Sequence, residues 1–167
     1  MQHAIRVFPD PCLRQRCEPV RHFDRSLQQL IENLRKVMHQ QKMGIGIAAP
    51  QIGVTQQVAI VDVSARVSGA KEIVLINPVL EKTGGETLSH EGCMSLPEYT
   101  GYVQRAESIR YRYQTLTGEG CTGESSGLEA ICIQHEMDHL QGQLFFDRVT
   151  TLKTDMQPRH WKKKTKR

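Results

Sequence analysis

The spacing of hydrophobic and polar positions predicts a helix near the N-terminus. Between Asp24 and Lys42, apolar side chains recur three and four residues apart, which is the period of one helix face. These positions are Leu27, Leu30, Ile31, Leu34, Val37 and Met38. Asp24 or Ser26 can cap the start of the helix and Gly44 can end it. We therefore predict an amphipathic helix over this segment.

The middle of the chain has the pattern of β-strands. Three short segments rich in Val, Ile and Tyr are bounded by turn residues, at 57–63, 72–76 and 108–114. Glycines at 84–85, 118–120 and 123 separate these segments. After Gly127 the helical period returns over 128–140, with Gly142 as its end signal. Because helices and strands do not alternate regularly, the order favours an α+β fold over a parallel α/β sheet.

Length and composition are those of an ordinary globular chain. Of its 167 residues, 38% are hydrophobic and 24% are charged, which excludes a disordered chain, a collagen and a coiled coil. The longest apolar runs, such as 73–76, are far shorter than the roughly 20 residues that span a membrane. The N-terminus has no apolar signal core. We expect a cytoplasmic protein with one domain over residues 1–157 and a basic tail over 158–167.

Positive charge is concentrated in that tail. The formal net charge is +4, and six of the 22 Lys and Arg residues lie within 159–167. The other 16 are outnumbered by the 18 Asp and Glu residues of the chain. The body of the protein therefore does not have the charge of a DNA-binding protein.

The second predicted helix contains an HExxH motif, His135-Glu136-Met137-Asp138-His139. Residues four apart lie on one helix face, roughly 6 Å apart along the axis, so the two imidazoles can hold one metal ion. Glu136 can then act as general base on a water bound to that ion. A five-residue match also arises by accident on helix surfaces. The interpretation therefore depends on a third ligand.

Cysteine is the best candidate for that ligand. The five cysteines are odd in number and form no CxxC pair, so a disulfide framework is not expected. The three-histidine extension of HExxH fails, because Phe145 stands at the third position. Cys132 lies roughly 10 Å along the helix from His139, so one ion cannot easily be bound by both residues. Cys93, in a loop flanked by Gly92 and Pro97, suits a site that leaves a tetrahedral position open for water. The alternative for Cys93 is a small buried apolar residue.

Residues 44–51, with the sequence GIGIAAPQ, contain a formal GxGxxA pattern. A dinucleotide site is excluded, because its glycine pattern must follow a strand and open a helix. Here the pattern follows a predicted helix and runs into Pro50. Glycine alternating with isoleucine is typical of an extended edge, to which a peptide could add as a further strand. A packed turn is the alternative. Gln51 offers an amide donor directly after Pro50.

Three segments together resemble the peptide deformylase family. They are 44–51, Glu91-Gly92-Cys93-Met94-Ser95 and 134–140, and they occur in the order that the family has. The opening at 8–14 is also similar, so the likeness covers roughly residues 5–150. Ile47 and Met94 stand where leucine is usual. The resemblance implies an α+β fold with antiparallel β-sheets wrapped around a central HExxH-bearing α-helix, the second amphipathic helix lying near the N-terminus.

The resemblance also implies an activity and a set of site residues. It implies removal of the N-formyl group from the N-terminal formylmethionine of newly synthesised polypeptides, with release of formate. It implies one divalent metal ion, natively Fe²⁺, with Zn²⁺, Ni²⁺ or Co²⁺ able to replace it. The residues implied are Cys93, His135 and His139 for the metal, Glu136 as acid and base, Gln51 and the backbone N–H of Met94 for the oxyanion, and the Gly46 backbone for the substrate.

Methionine selectivity needs an apolar pocket near the metal. Leu128, Ile131 and Cys132 precede His135 by seven, four and three residues, so they share its helix face, and Ile45 could close another wall. These residues could equally belong to the core alone. The tail at 159–167 either contacts the ribosome or is a solvated end. We expect no membrane and no DNA partner. The alternative function is that of an HExxH-type metallopeptidase.

Overall fold

The computed structural model describes residues 4–42 and 44–159, whose regular structure is three α-helices, three short 3-10 helices and two antiparallel sheets. The helices are α1 (Arg25–Gln40), α2 (Gly127–Leu140) and the short α3 (Leu152–Asp155). The strands are β1 (Gly46–Ala48), β2 (Val58–Val61), β3 (Ile73–Gly84), β4 (Thr87–Cys93), β5 (Leu96–Arg105), β6 (Ser108–Gln114), β7 (Gly120–Ser126) and β8 (Met156–Pro158). None of these helices is long and apolar enough to cross a membrane.

Helix α1 confirms the prediction from the apolar period. The Asp24 carboxylate caps it by accepting hydrogen bonds from the N–H groups of Ser26 and Leu27. All six of the predicted apolar positions are buried. They pack against β1 and β2, so this helix covers one face of the larger sheet.

The two sheets have the strand orders β1-β2-β3-β6-β7 and β4-β5-β8. Every pairing within them is antiparallel. Strand β1 pairs only with β2 in this order, so its other edge is open, and β4 is likewise an edge strand. This architecture confirms the predicted α+β class and the predicted antiparallel sheets.

Helix α2 lies between the sheets. It contacts β1, β2, β6 and β7 of the larger sheet, and its polar side chains meet the smaller sheet through Glu91, Cys93 and Arg105. Seven of its 14 residues are buried, including the charged Glu136 and Asp138. Burial on both sides explains why this helix lacks the one-sided apolar pattern of α1. Phe145, at the position of the missing third histidine, is buried beside Cys93.

Several strands differ from the sequence prediction. The segment at 108–114 matches β6, whereas β3 extends to Gly84 and β4, β5, β7 and β8 were not predicted. Gly123 lies inside β7, although the sequence indicated a turn, because the Tyr111 ring covers its Cα. Cys93 ends β4 and does not lie in a loop; the register shifts between it and Gly92. Of the predicted tail, 160–167 lies outside the described residues.

Candidate metal centre and active site

Helix α2 and strand β4 bring three metal-ligating side chains together. His135 and His139 lie one turn apart on α2, and Cys93 comes from the end of β4. Their donor atoms all lie within 4.8 Å of one another. The Cys93 Sγ is 3.3 Å from His139 Nε2, and both residues are buried. A buried thiolate beside two imidazoles is a donor set that Fe²⁺ and Zn²⁺ accept.

The charges at this site favour a cation. Burial disfavours the Cys93 thiolate, but the charge of His139 and hydrogen bonds with both histidines outweigh burial and hold the pKa of this thiol well below its usual range. Burial likewise disfavours the His135 imidazolium, but Cys93 and Glu91 outweigh it and raise the pKa of His135. Both shifts favour a negative charge on Cys93 Sγ. A divalent cation among these atoms would also stabilise that charge and would compete with protons for the same donors.

Glu136 lies beside the two histidines with its carboxylate almost fully enclosed. Burial raises its pKa to about 7, although His135 and His139 oppose this shift. Among the described residues, its Oε2 has no hydrogen-bond partner. A Cβ on Gly46 would overlap Glu136 Oε1 and would lie only 2.8 Å from Cys132 Sγ, so glycine is required where β1 crosses α2. A carboxyl group of this kind is suited to accepting and returning a proton near neutral pH.

Gln51 is buried beside Cys93. Its Oε1 accepts from the N–H of Ala48 at 2.9 Å, which leaves its Nε2 to donate to Ser95 Oγ at 3.2 Å and towards Cys93 Sγ at 3.6 Å. The N–H of Ser95 also donates to Cys93 Sγ, at 3.4 Å. Met94 lies between Cys93 and Ser95, so its backbone and the Gln51 amide belong to the same small region.

The N-terminal segment hydrogen-bonds to both the segment that carries Gln51 and the segment that carries Met94 and Ser95. The N–H of Arg6 donates to the Gln51 carbonyl, and the N–H of Phe8 donates to the Ser95 carbonyl, both at 2.8 Å. The sequence had indicated no role for this segment. Because both bonds are made by the backbone, no side-chain pattern could have predicted them.

His135 contacts a network of charged side chains through Glu91. Glu91 Oε1 contacts His135 Nδ1 at 2.9 Å, so the other ring nitrogen is the one that can face a metal. Arg105 donates to both oxygens of Glu91 at 2.8 Å and to Asp138 at 2.6 Å. Arg148 also contacts Asp138. Hydrogen bonds from Arg105 and His135 outweigh burial and lower the pKa of Glu91 to about 2.

The sequence did not predict this network. Glu91 is the first residue of the cysteine motif and Asp138 lies inside HExxH, but neither was assigned a role from the sequence. Arg105 and Arg148 come from other elements, β5 and the 3-10 helix Phe145–Arg148, and had no signal of their own.

The predicted apolar wall is partly assembled. Leu128 and Cys132 pack in one cluster with Ile45, and Cys132 Sγ donates to the Ile45 carbonyl at 3.3 Å. Burial raises the pKa of Cys132 well above its usual range, as expected of a neutral thiol in an apolar wall. Ile131 is half-buried on the same helix, outside the buried clusters of the described residues.

Comparison with known proteins identifies the family. A family model described as polypeptide deformylase matches residues 2–155. The chain belongs to the polypeptide deformylase family. It is 43% identical over 149 residues to the peptide deformylase of Baumannia cicadellinicola, covering 89% of this chain and 87% of the relative. It is 40% identical over 166 residues to that of Bartonella tribocorum, covering 98% and 93%.

Solved deformylase structures have the same fold. The Legionella pneumophila enzyme superposes with a TM-score of 0.84 at 37% identity, covering 92% of this chain and 89% of that one. The Thermotoga maritima enzyme superposes with a TM-score of 0.83 at 37% identity, covering 90% and 99%. The chain is therefore a metal-dependent hydrolase that removes the N-formyl group from nascent polypeptides. The metallopeptidase alternative is not favoured.

Proposed function

We propose that Cys93, His135 and His139 hold one divalent cation, natively Fe²⁺, in this deformylase. The carrying observation is the convergence of their three donor atoms within 4.8 Å, beside the enclosed Glu136 carboxylate. Three protein donors leave a tetrahedral position for water or substrate, and the thiolate and imidazoles also suit Zn²⁺, Ni²⁺ and Co²⁺. When bound, the ion supplies Lewis acidity and lowers the pKa of a coordinated water towards about 7.

Glu136 is the proposed acid and base. It accepts a proton from the attacking water, and it returns a proton to the amine that departs when the formyl C–N bond breaks. Its burial supports this role, because a carboxyl group with a pKa of about 7 can both take and give a proton near neutral pH. The close approach of Gly46 limits the positions that the carboxylate can adopt.

Gln51 Nε2 and the backbone N–H of Met94 are the proposed donors to the formyl oxygen, on which negative charge develops. The hydrogen bond from Ala48 to Gln51 Oε1 fixes the orientation of this amide, so that its N–H groups face the Cys93 side. A preorganised donor of this kind contributes about 3 kcal/mol to transition-state stabilisation in comparable sites.

The substrate peptide is proposed to add to the open edge of β1, with its backbone against Gly46. Its methionine side chain would pack against the apolar wall formed by Ile45, Leu128, Ile131 and Cys132. The edge position of β1 and the packing of Ile45 against α2 support this orientation. We also propose a cytoplasmic location, one catalytic domain over 1–157 and a basic tail at 158–167, of which residues 159–167 contact the ribosome.

The test measures formate release from formyl-Met-Ala-Ser by protein purified without oxygen and assayed for metal content. We expect one Fe²⁺ per chain and turnover that is lost with chelator and restored by Fe²⁺ or Ni²⁺. Cys93→Ser should lose the stoichiometric ion, whereas Cys121→Ser, on β7, should keep it. Full metal content in Cys93→Ser would contradict the ligand assignment.

A further inference from the structure

The N-terminal segment, residues 5–8, lies against the two segments that carry the proposed oxyanion donors. The N–H of Arg6 donates to the Gln51 carbonyl and the N–H of Phe8 donates to the Ser95 carbonyl, both at 2.8 Å. Gln51 and Ser95 are 44 residues apart in the chain. Arg6 and Phe8 are only two residues apart, so their N–H groups are separated by at most about 7 Å. One short stretch of backbone therefore limits how far the two donor-bearing segments can separate.

The segment itself is anchored at both ends. Ile5 packs against the apolar cluster that α1 forms with β1 and β2. At the other end, the Phe8 ring meets the Phe146 ring edge-on, with 5.2 Å between the ring centroids. The Arg14 guanidinium lies 5.5 Å from the centroid of Phe8, and it also donates to the Asp147 carboxylate at 3.1 Å. The position of the segment therefore does not depend on its two backbone hydrogen bonds alone.

The direct contacts between Gln51 and residues 93–95 are of a kind that a substrate would disturb. In the described part of the chain, the polar contacts are made by Gln51 Nε2, to Ser95 Oγ at 3.2 Å and towards Cys93 Sγ at 3.6 Å. A formyl oxygen that accepts from Nε2 must replace one of these contacts, because an amide has only two N–H groups. The bonds from Arg6 and Phe8 go to main-chain carbonyls, so a substrate oxygen on Nε2 leaves them in place.

We propose that residues 5–8 hold the two oxyanion donors, Gln51 Nε2 and the Met94 N–H, at a fixed separation, with Phe8 as the positioning residue. This inference rests on the proposed function. Two donors stabilise the same oxygen only when each lies about 3 Å from it, and this geometry matters most in the transition state. Loosening the segment should therefore lower kcat and leave KM nearly unchanged.

The experiment measures formate release from formyl-Met-Ala-Ser with two matched pairs of variants. Arg6→Pro and Arg6→Ala both remove an exposed side chain, but only proline also removes the N–H. Phe8→Ala removes the ring, whereas Phe8→Tyr keeps it. We expect Arg6→Pro and Phe8→Ala to lower kcat by about tenfold with KM within about twofold, and Arg6→Ala and Phe8→Tyr to stay within about twofold of wild type.

A control variant and a second background separate positioning from a merely structural effect. Leu116→Ala, between β6 and β7, should behave as wild type, although Leu116 is 39% exposed and Phe8 is 38% exposed. In Gln51→Leu one of the two donors is already missing, so Phe8→Ala should lower kcat there by less than about threefold. Metal content and urea unfolding are measured for every variant, and rates are compared per folded, metal-loaded chain.

Unchanged kcat in both Arg6→Pro and Phe8→Ala would overturn the proposal. A tenfold loss from Phe8→Ala that persists in the Gln51→Leu background would do the same, because the segment would then act through something other than the pair of donors. Unchanged kcat in Gln51→Leu alone would have a different meaning. It would refute the proposed oxyanion role of Gln51, and this inference with it.

Discussion

Replacing Arg105 with Met should destabilise the protein strongly, because it leaves two carboxylates buried without their main counter-charge. Arg105 is 4% exposed, and its partners Glu91 and Asp138 are 7% and 6% exposed. Removing one partner of a buried ion pair costs about 3–5 kcal/mol. Arg148 still contacts Asp138, so we expect about 3 kcal/mol. For a chain of this size that is roughly a 6–12 °C fall in Tm.

The pH dependence of this loss is a second part of the same test. The pKa of Glu91 is lowered from 4.5 to about 2 in the folded protein, so its stabilising contribution is fully present above about pH 4.5. It disappears as pH falls towards 2. The difference in free energy of unfolding between wild type and Arg105→Met should therefore be largest near pH 7 and shrink below pH 4.5.

Urea unfolding at several pH values, with and without chelator, measures this difference. Arg35→Met is the matched control, because Arg35 makes a similar two-oxygen contact with Glu72 but its side chain is 39% exposed. We expect the control to lose at most about 1 kcal/mol. Equal losses in the two variants, or a loss in Arg105→Met that does not depend on pH, would refute the reasoning.

Three further substitutions test the proposed catalytic groups. Glu136→Ala should keep the metal and lower kcat by about 10²–10⁴-fold, and near-normal turnover would remove the proposed base. Gln51→Leu should lower kcat by about 10²–10³-fold with little change in KM, and an effect on KM alone would count against its oxyanion role. Gly46→Ala should lower kcat because its methyl group displaces the Glu136 carboxylate, whereas Gly120→Ala, with nothing within 4 Å of its Cβ, should behave as wild type.

Local patterns in the sequence predicted the helices better than the strands. Helix α1 was found from its apolar period and the Asp24 cap, both of which act over neighbouring residues. Strand β4 was not predicted, because Thr87–Cys93 contains few β-branched or aromatic residues and is stabilised by pairing with β5. The same pairing places Cys93 at a strand end, where its Gly and Pro neighbours had indicated a loop.

In the candidate site, too, the sequence predicted what local geometry determines and missed what tertiary packing determines. The HExxH spacing predicted that His135 and His139 share one helix face, because helix geometry alone sets it. That Cys93 meets them depends on how β4 packs against α2. Its local sequence made it only the best of five cysteines, and the resemblance to the family implied that it is a ligand. Arg105 could not be found at all, since its charge has meaning only when Glu91 and Asp138 are beside it in space.

The three proposed donors lie on two separate elements, α2 and β4, so an ion held by all of them would cross-link these elements. Cys93 and His139 are 46 residues apart in the chain. Closing a loop of this length costs an unfolded chain about 4 kcal/mol, whereas the folded protein already holds both ends together. The unfolded chain should therefore bind the ion far more weakly. Uptake of the ion and folding are consequently coupled equilibria, so free metal concentration should shift the unfolding midpoint of this enzyme.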